Sequence, residues 1–235
     1  MPLDCGCRHG PTIHPRLTMR QTFMIAIIPL GLAGCAGTSL PIVEKGPALG
    51  EMAPIAQPSW QAGMTAYQID KMTGERISWS VLEVAGGMVT SKHSDGCSWT
   101  VSATWVAPPL RWENCGENPD WTAGTRTITA AEGTLWPLRV GNRAVYRADL
   151  ESHTGKRSSE VRTCTVEEPV RISVGAGETD AMKVVCVSVY DKDTRSIGTW
   201  YWTEDRGEAL FTRVHSKRGL EALHETIAIE VPGTS

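Results

Sequence analysis

The chain has 235 residues, of which 41% are hydrophobic and 21% charged, and its formal net charge is -3. This composition excludes a disordered or collagen-like chain, and the length allows one large β domain or two small ones. No broad excess of lysine and arginine offers a footprint to nucleic acid.

Residues 1–18, MPLDCGCRHGPTIHPRLT, carry no usable periodicity. Cys5, Cys7, His9 and His14 lack zinc-site spacing, and no second ligand pair follows them. Met19 is read as the true start, which makes 1–18 an upstream extension. Met19-Arg20 supplies a short positive region. Phe23 to Leu32 is apolar and is followed by small residues, as in a secretory signal. The run is too short to cross a bilayer, which takes about 20 apolar residues, and Pro29 weakens any membrane helix there.

Leu32-Ala33-Gly34-Cys35 matches the lipobox pattern L-[A/S/T]-[G/A]-C at every position. On this motif the chain resembles bacterial lipoproteins. The resemblance implies that 19–34 is a cleaved signal peptide. It also implies that Cys35 is the mature N-terminus and the point of lipidation, with palmitate-type acyl chains. Each buried CH₂ contributes about 0.8 kcal/mol, and more than one chain anchors stably. Ala36 replaces the aspartate that retains such proteins at the inner membrane. The resemblance therefore implies the outer membrane, with the domain facing the periplasm.

Residues 36–63 are punctuated by Pro41, Pro47, Pro54 and Pro58 and keep no period of 2 or 3.6. Together with Cys35 they are expected to form a flexible tether, 35–63, spanning on the order of 25–30 Å as a loose coil. The folded domain is expected over 64–235. Beyond Cys35 it holds Cys97, Cys115, Cys164 and Cys186. Export puts these in an oxidising compartment. Of three pairings, Cys97–Cys115 and Cys164–Cys186 are expected, because each closes a short loop within one half of the chain. C-x-x-C and clustered metal ligands are absent, which favours structural bonds over redox or zinc chemistry.

Strand signals follow one another through the domain. Cys97 to Trp105 alternates strictly, with Cys97, Trp99, Val101, Ala103 and Trp105 on one face. Ser78 to Val84 and Arg143 to Ala148 alternate less cleanly. Met182 to Tyr190 is apolar on both faces, as in a central strand. Gly198 to Thr203, Ala209 to His215 and Thr226 to Val231 complete the set. Gly turns separate them, among them Thr73-Gly74, Gly86-Gly87, Asp95-Gly96, Thr154-Gly155, Gly175-Ala176-Gly177 and Asp205-Arg206-Gly207. The fold class expected is all-β, an antiparallel sandwich or barrel. Arg218 to Glu225 is the one segment expected to form a short helix. Tyr67, Asp70 and Thr73-Gly74 echo Tyr146, Asp149 and Thr154-Gly155, which suggests two similar halves, 64–132 and 133–235.

The second half carries Trp136-Pro137-Leu138, Val140-Gly141, and then Val174-Gly175-Ala176-Gly177, Asp180-Ala181 and Lys183-Val184. Over about 135–215 it resembles β-rich periplasmic domains of uncharacterised bacterial lipoproteins. The resemblance implies a fold and a compartment, and no catalytic residues. From the residues themselves, Gly175 and Gly177 make a hairpin turn, and Asp180 is placed to bond turn amides.

Catalytic signatures are missing. His93-Ser94-Asp95 holds three triad residue types, but neighbouring side chains diverge along the chain. Asp191 and Asp193 lack the glycine and closing glutamate of a calcium loop. Glu167-Glu168 precedes Pro169 and reads as a turn. No cofactor is implied. The tryptophans stand out, numbering nine against two phenylalanines. Trp200, Trp202, Trp112 and Trp121 are candidate ligand-binding residues, able to stack on sugars. The competing reading packs the indoles into the core. The leading expectation is a non-catalytic envelope lipoprotein with a binding or structural role. Its partners are the membrane, through its lipid, and an envelope protein or peptidoglycan. The alternatives are a glycan-binding module and an enzyme of unrecognised class, the latter requiring His93, His153, His215 or His224 beside a carboxylate.

Overall fold

The inside–outside alternation read at Cys97 to Trp105 recurs in strand after strand. The computed structural model describes residues 44–104, 108–116, 118–191, 194–204, 209, 211–216 and 219–233. The signal, Cys35, the first part of the tether, Trp105 and Asp193 lie outside the described residues, as do Asp205-Arg206-Gly207 and Arg218.

Strand β1 (Glu44–Pro47) comes first. The next eight are β2 (Thr65–Asp70), β3 (Arg76–Ala85), β4 (Met88–His93), β5 (Ser98–Ser102), β6 (Arg111–Glu113), β7 (Gly124–Thr134), β8 (Arg143–Ser152) and β9 (Arg157–Val166). Then follow β10 (Val170–Val174), β11 (Gly177–Tyr190), β12 (Thr194–Trp202), β13 (Phe211–Ser216) and β14 (Gly219–Glu230).

From β2 to β9 each strand pairs with the next. Strand β9 then pairs with β11, and β14 returns to pair with β2. The result is a closed antiparallel barrel of twelve strands, so the all-β expectation holds in its barrel form. Closure leaves no free edge in the wall. Strands β1 and β10 stand outside the ring: β10 folds against residues 177–181 of β11, and β1 runs along β10.

Inward positions are buried and their neighbours are not. Ala66 is 0% exposed and Tyr67 36%; Val81 is 1% and Leu82 54%. The C-terminal end of β12 is buried on both faces. Trp202 points inward to Met182, Val184 and the Cys164–Cys186 pair, while Tyr201 points outward beneath Ile172 of β10 and beside Leu223. Both expected disulfides are present. Cys164 and Cys186 face each other across β9 and β11, and Cys97–Cys115 ties the start of β5 to the end of β6.

Three expectations change. The segment 218–225 is not a helix: from Gly219 on it belongs to β14, with Leu223 and Glu225 both buried. Its backbone must serve β13 on one side and β2 on the other, and only a strand does that, whatever its local helix propensity. The tether is shorter than 35–63. Glu44–Pro47 pairs with β10, Ile55 bridges Leu138, and Trp60 is 8% exposed. Asp180 bonds away from its own turn, to Arg171 and to the Leu49 N–H.

The proposed halves each supply six strands to the ring, and both echoed motifs sit at hairpins. Tyr67 nevertheless faces outward and Tyr146 packs on the core, and the disulfides join non-equivalent strand pairs.

Each disulfide closes a short loop, with sequence separations of 18 and 22. Replacing either pair by alanine is expected to cost about 3 kcal/mol, read as a lower urea midpoint with unchanged far-UV circular dichroism.

Candidate functional site

The four candidate tryptophans do not share a surface. Trp202 is buried and Trp200 packs on the same cluster, where the Trp136 ring meets Trp202 edge-on at 5.3 Å. Gly198 leaves the room Trp200 needs, since a Cβ there would stand 2.3 Å from the indole. Trp112 is buried in another cluster and stacks on Trp121 at 6.3 Å.

The histidines do not converge on one cleft, although His93 lies near enough to His224 to act on it electrostatically. His93 Nδ1 lies 3.1 Å from Asp95 in the Ser-Asp-Gly turn. His224 sits opposite Asp70, and burial pulls its pKa down despite that carboxylate. His153 contacts the Ala123 carbonyl. Among the described residues no group of three or more His, Cys, Asp or Glu side chains is placed to hold a metal.

The unusual chemistry lies inside the wall. Arg126 on β7, Glu160 and Arg162 on β9, and Ser188 and Tyr190 on β11 occupy inward positions of neighbouring strands. Ile128, two residues beyond Arg126 on its inward face, is joined across β8 to Glu160 through Ala148. Glu160 is 2% exposed and Arg126 9%. A terminal guanidinium nitrogen of Arg126 lies 2.9 Å from Glu160, and Arg162 Nε lies 3.2 Å from the other carboxylate oxygen and 3.0 Å from Ser188 Oγ. Arg126 also donates to the Pro109 carbonyl and lies over the Trp112 ring, 5.7 Å from its centre. Its Nε has no hydrogen-bond partner.

Burial pushes the Glu160 carboxyl upward, but Arg162 and Arg126, with the Ser188 hydroxyl, outweigh it and hold the pKa below the ordinary glutamate value. Burial lowers the Arg126 pKa, and Glu160 opposes this. Arginine nonetheless stays cationic in a protein. The cluster therefore holds two guanidinium charges against one carboxylate.

Arg126 borders a cavity of about 250 Å³. Trp99 and Trp112, paired across β5 and β6, form one wall, and Leu150 and Tyr190 form another. The Cys97–Cys115 disulfide closes the side between them. Trp112 directs its indole N–H away, to the Trp121 carbonyl at 2.9 Å. A larger hollow of about 430 Å³ lies over β7, β8 and β9, and hydroxyls, carboxylates and Arg157 line it without an indole. It offers a sugar no aromatic face to stack on.

Trp112 alone of the four candidate tryptophans lines the smaller cavity. Arg126 and Glu160 were not singled out from sequence. The only signal for them was a charged residue at the inward phase of an alternating strand, as in Arg126 and Ile128.

No protein-family model matches this chain, and no curated protein sequence matches it. Among solved structures it is similar to the hypothetical lipoprotein YmcC from Escherichia coli K12. The identity is 8% and the TM-score 0.43, over 73% of this chain and 86% of that one. It is also similar to an exported protein with a YmcC-like fold from Bacteroides fragilis. Here the identity is 10% and the TM-score 0.38, over 76% of this chain and 100% of that one.

Glu160→Gln is expected to cost about 3 kcal/mol at neutral pH, because it leaves the buried Arg126 and the partly buried Arg162 uncompensated. A lowered folded-state pKa gives stability that is full above the unfolded value and lost as pH falls through the folded one. The gap between wild type and Glu160→Gln in urea midpoint should therefore shrink as the medium is acidified.

Proposed function

We propose that this chain is an exported lipoprotein, held at the outer membrane by lipid on Cys35, whose barrel serves as a non-catalytic binding module facing the periplasm. The complete lipobox, Leu32 to Cys35, after an apolar signal-like run carries the reading. The two disulfides support it, since such bonds persist in oxidising compartments. A partly open apolar hollow beside a buried charge supports binding over a purely structural role.

The dispersal of the indoles into separate clusters weighs against a glycan-stacking surface. The enzyme reading draws support from His93 beside Asp95 and from His224, which stands opposite Asp70 partly buried and with a lowered pKa. The Asp95 carboxylate is 65% exposed on a turn, and no nucleophile is bonded to the His93 imidazole among the described residues.

Cells treated with globomycin, which blocks lipoprotein signal cleavage, should accumulate a larger precursor. Cys35→Ala should move the protein from the membrane fraction to the soluble one. An unchanged precursor together with unchanged membrane attachment of Cys35→Ala would defeat the anchor.

A further inference from the structure

We propose that the cavity walled by Trp99, Trp112, Leu150 and Tyr190 binds a small apolar monocarboxylate, with its anionic end held toward Arg126. The inference rests on the reading of the barrel as a binding module and names the ligand class.

Size comes first. A volume of about 250 Å³ lies under the roughly 300–1,000 Å³ of sites for drug-sized ligands. It suits a short acyl chain or a single ring.

The walls select for apolar matter. Two indoles, a leucine, the Tyr190 ring and a disulfide offer dispersion contacts and few hydrogen-bonding groups. A sugar would leave most of its hydroxyls unpaired there, at a cost.

The charge selects the headgroup. Arg126 and Arg162 share the single carboxylate of Glu160. No carboxylate is among the described residues lining the cavity. One positive charge is left over at the border of a partly open, mainly apolar hollow, where attraction to an anion is stronger than in bulk water. A guanidinium matches a planar carboxylate best. The Arg126 side chain retains 7% exposure and borders the cavity, so its charge is felt there.

The full chain, reconstituted in lipid nanodiscs, can be titrated with octanoate, phenylacetate and the neutral 1-octanol. Calorimetry and tryptophan emission report binding, with empty nanodiscs subtracted. At least one carboxylate should bind at least about tenfold tighter than 1-octanol, and added salt should narrow the gap. The preferred acid tells whether the body is aliphatic or aromatic. Equal affinity for 1-octanol and octanoate would overturn the role of Arg126. Silence from both acids with a folded, anchored protein would overturn the ligand class and leave the anchor reading intact.

Location is tested in two ways. Leu150→Phe, at the position paired with Arg126, fills the cavity while keeping both charged side chains in the chain, and binding should fall at least about tenfold. In the unaltered protein, a saturating acid should slow reduction of Cys97–Cys115, which lines the cavity. It should not slow that of Cys164–Cys186, which lies in a different cluster. Equal slowing of both bonds would place the ligand elsewhere.

Discussion

Everything in this fold depends on the pairing of β14 with β2. It joins residues more than 150 positions apart, as in the Gln68–Thr226 hydrogen bond. Without it, the meander from β2 and the run from β11 would be open sheets with two long edges, a form prone to associate. Closing a loop of that size costs entropy that local turns do not repay. Two disulfides and many tight Gly turns shorten the free chain that must be ordered, so the closing contact is reached from a constrained state. The Gln68–Thr226 bond is buried at the seam, and Thr226 also donates to the Ala209 carbonyl. The join is thus specified by polar groups as well as by the ladder.

Closure creates a second demand, which is to fill the lumen. This chain has two phenylalanines and nine tryptophans, so indoles do much of the filling. They gather in separate clusters around Trp202, around Trp60 and Trp79, and around Trp112. Large rigid rings on alternate positions do not tile every gap. The gap beside Trp99 and Trp112 lies next to the buried cluster of Arg126, Glu160 and Arg162. A buried pair gives little net stability by itself. Two guanidiniums on one carboxylate are worse matched still.

The parts of this architecture that follow local rules were readable from the residues. Strict alternation marked β5, the apolar run Met182 to Tyr190 marked the strand flanked by both β9 and β12, and loop length predicted the two disulfides. The parts set by distant partners were not. Leu-Glu-Ala-Leu-His-Glu reads as helix in isolation and becomes strand only because β13 and β2 both need a neighbour. Glu44–Pro47 has no period of its own and is a strand through β10. The tryptophans could be counted from sequence, but which of them line a cavity depends on register across strands, such as Trp99 against Trp112. Arg126 gave no motif at all. Its importance comes from Glu160, reached across two strand pairings.

The docking of β1 also changes what an anchor on Cys35 would do. Only residues 36–43 separate that cysteine from the first paired residue, Glu44. Even fully extended, such a stretch reaches at most about 30 Å. Glu44 is itself held: it accepts from the Tyr201 hydroxyl at 2.5 Å and lies 3.1 Å from Lys183. A lipid on Cys35 would therefore keep the β1–β10 side of the barrel near the membrane instead of letting the domain roam on a long spacer. The cavity is lined from β5 to β8 and from the end of β11 at Tyr190, whereas β10 packs on the opposite end of β11 at Ala181. In a strand the nine steps from Ala181 to Tyr190 span about 30 Å. Strand β10 and the cavity thus sit toward opposite ends of one long strand.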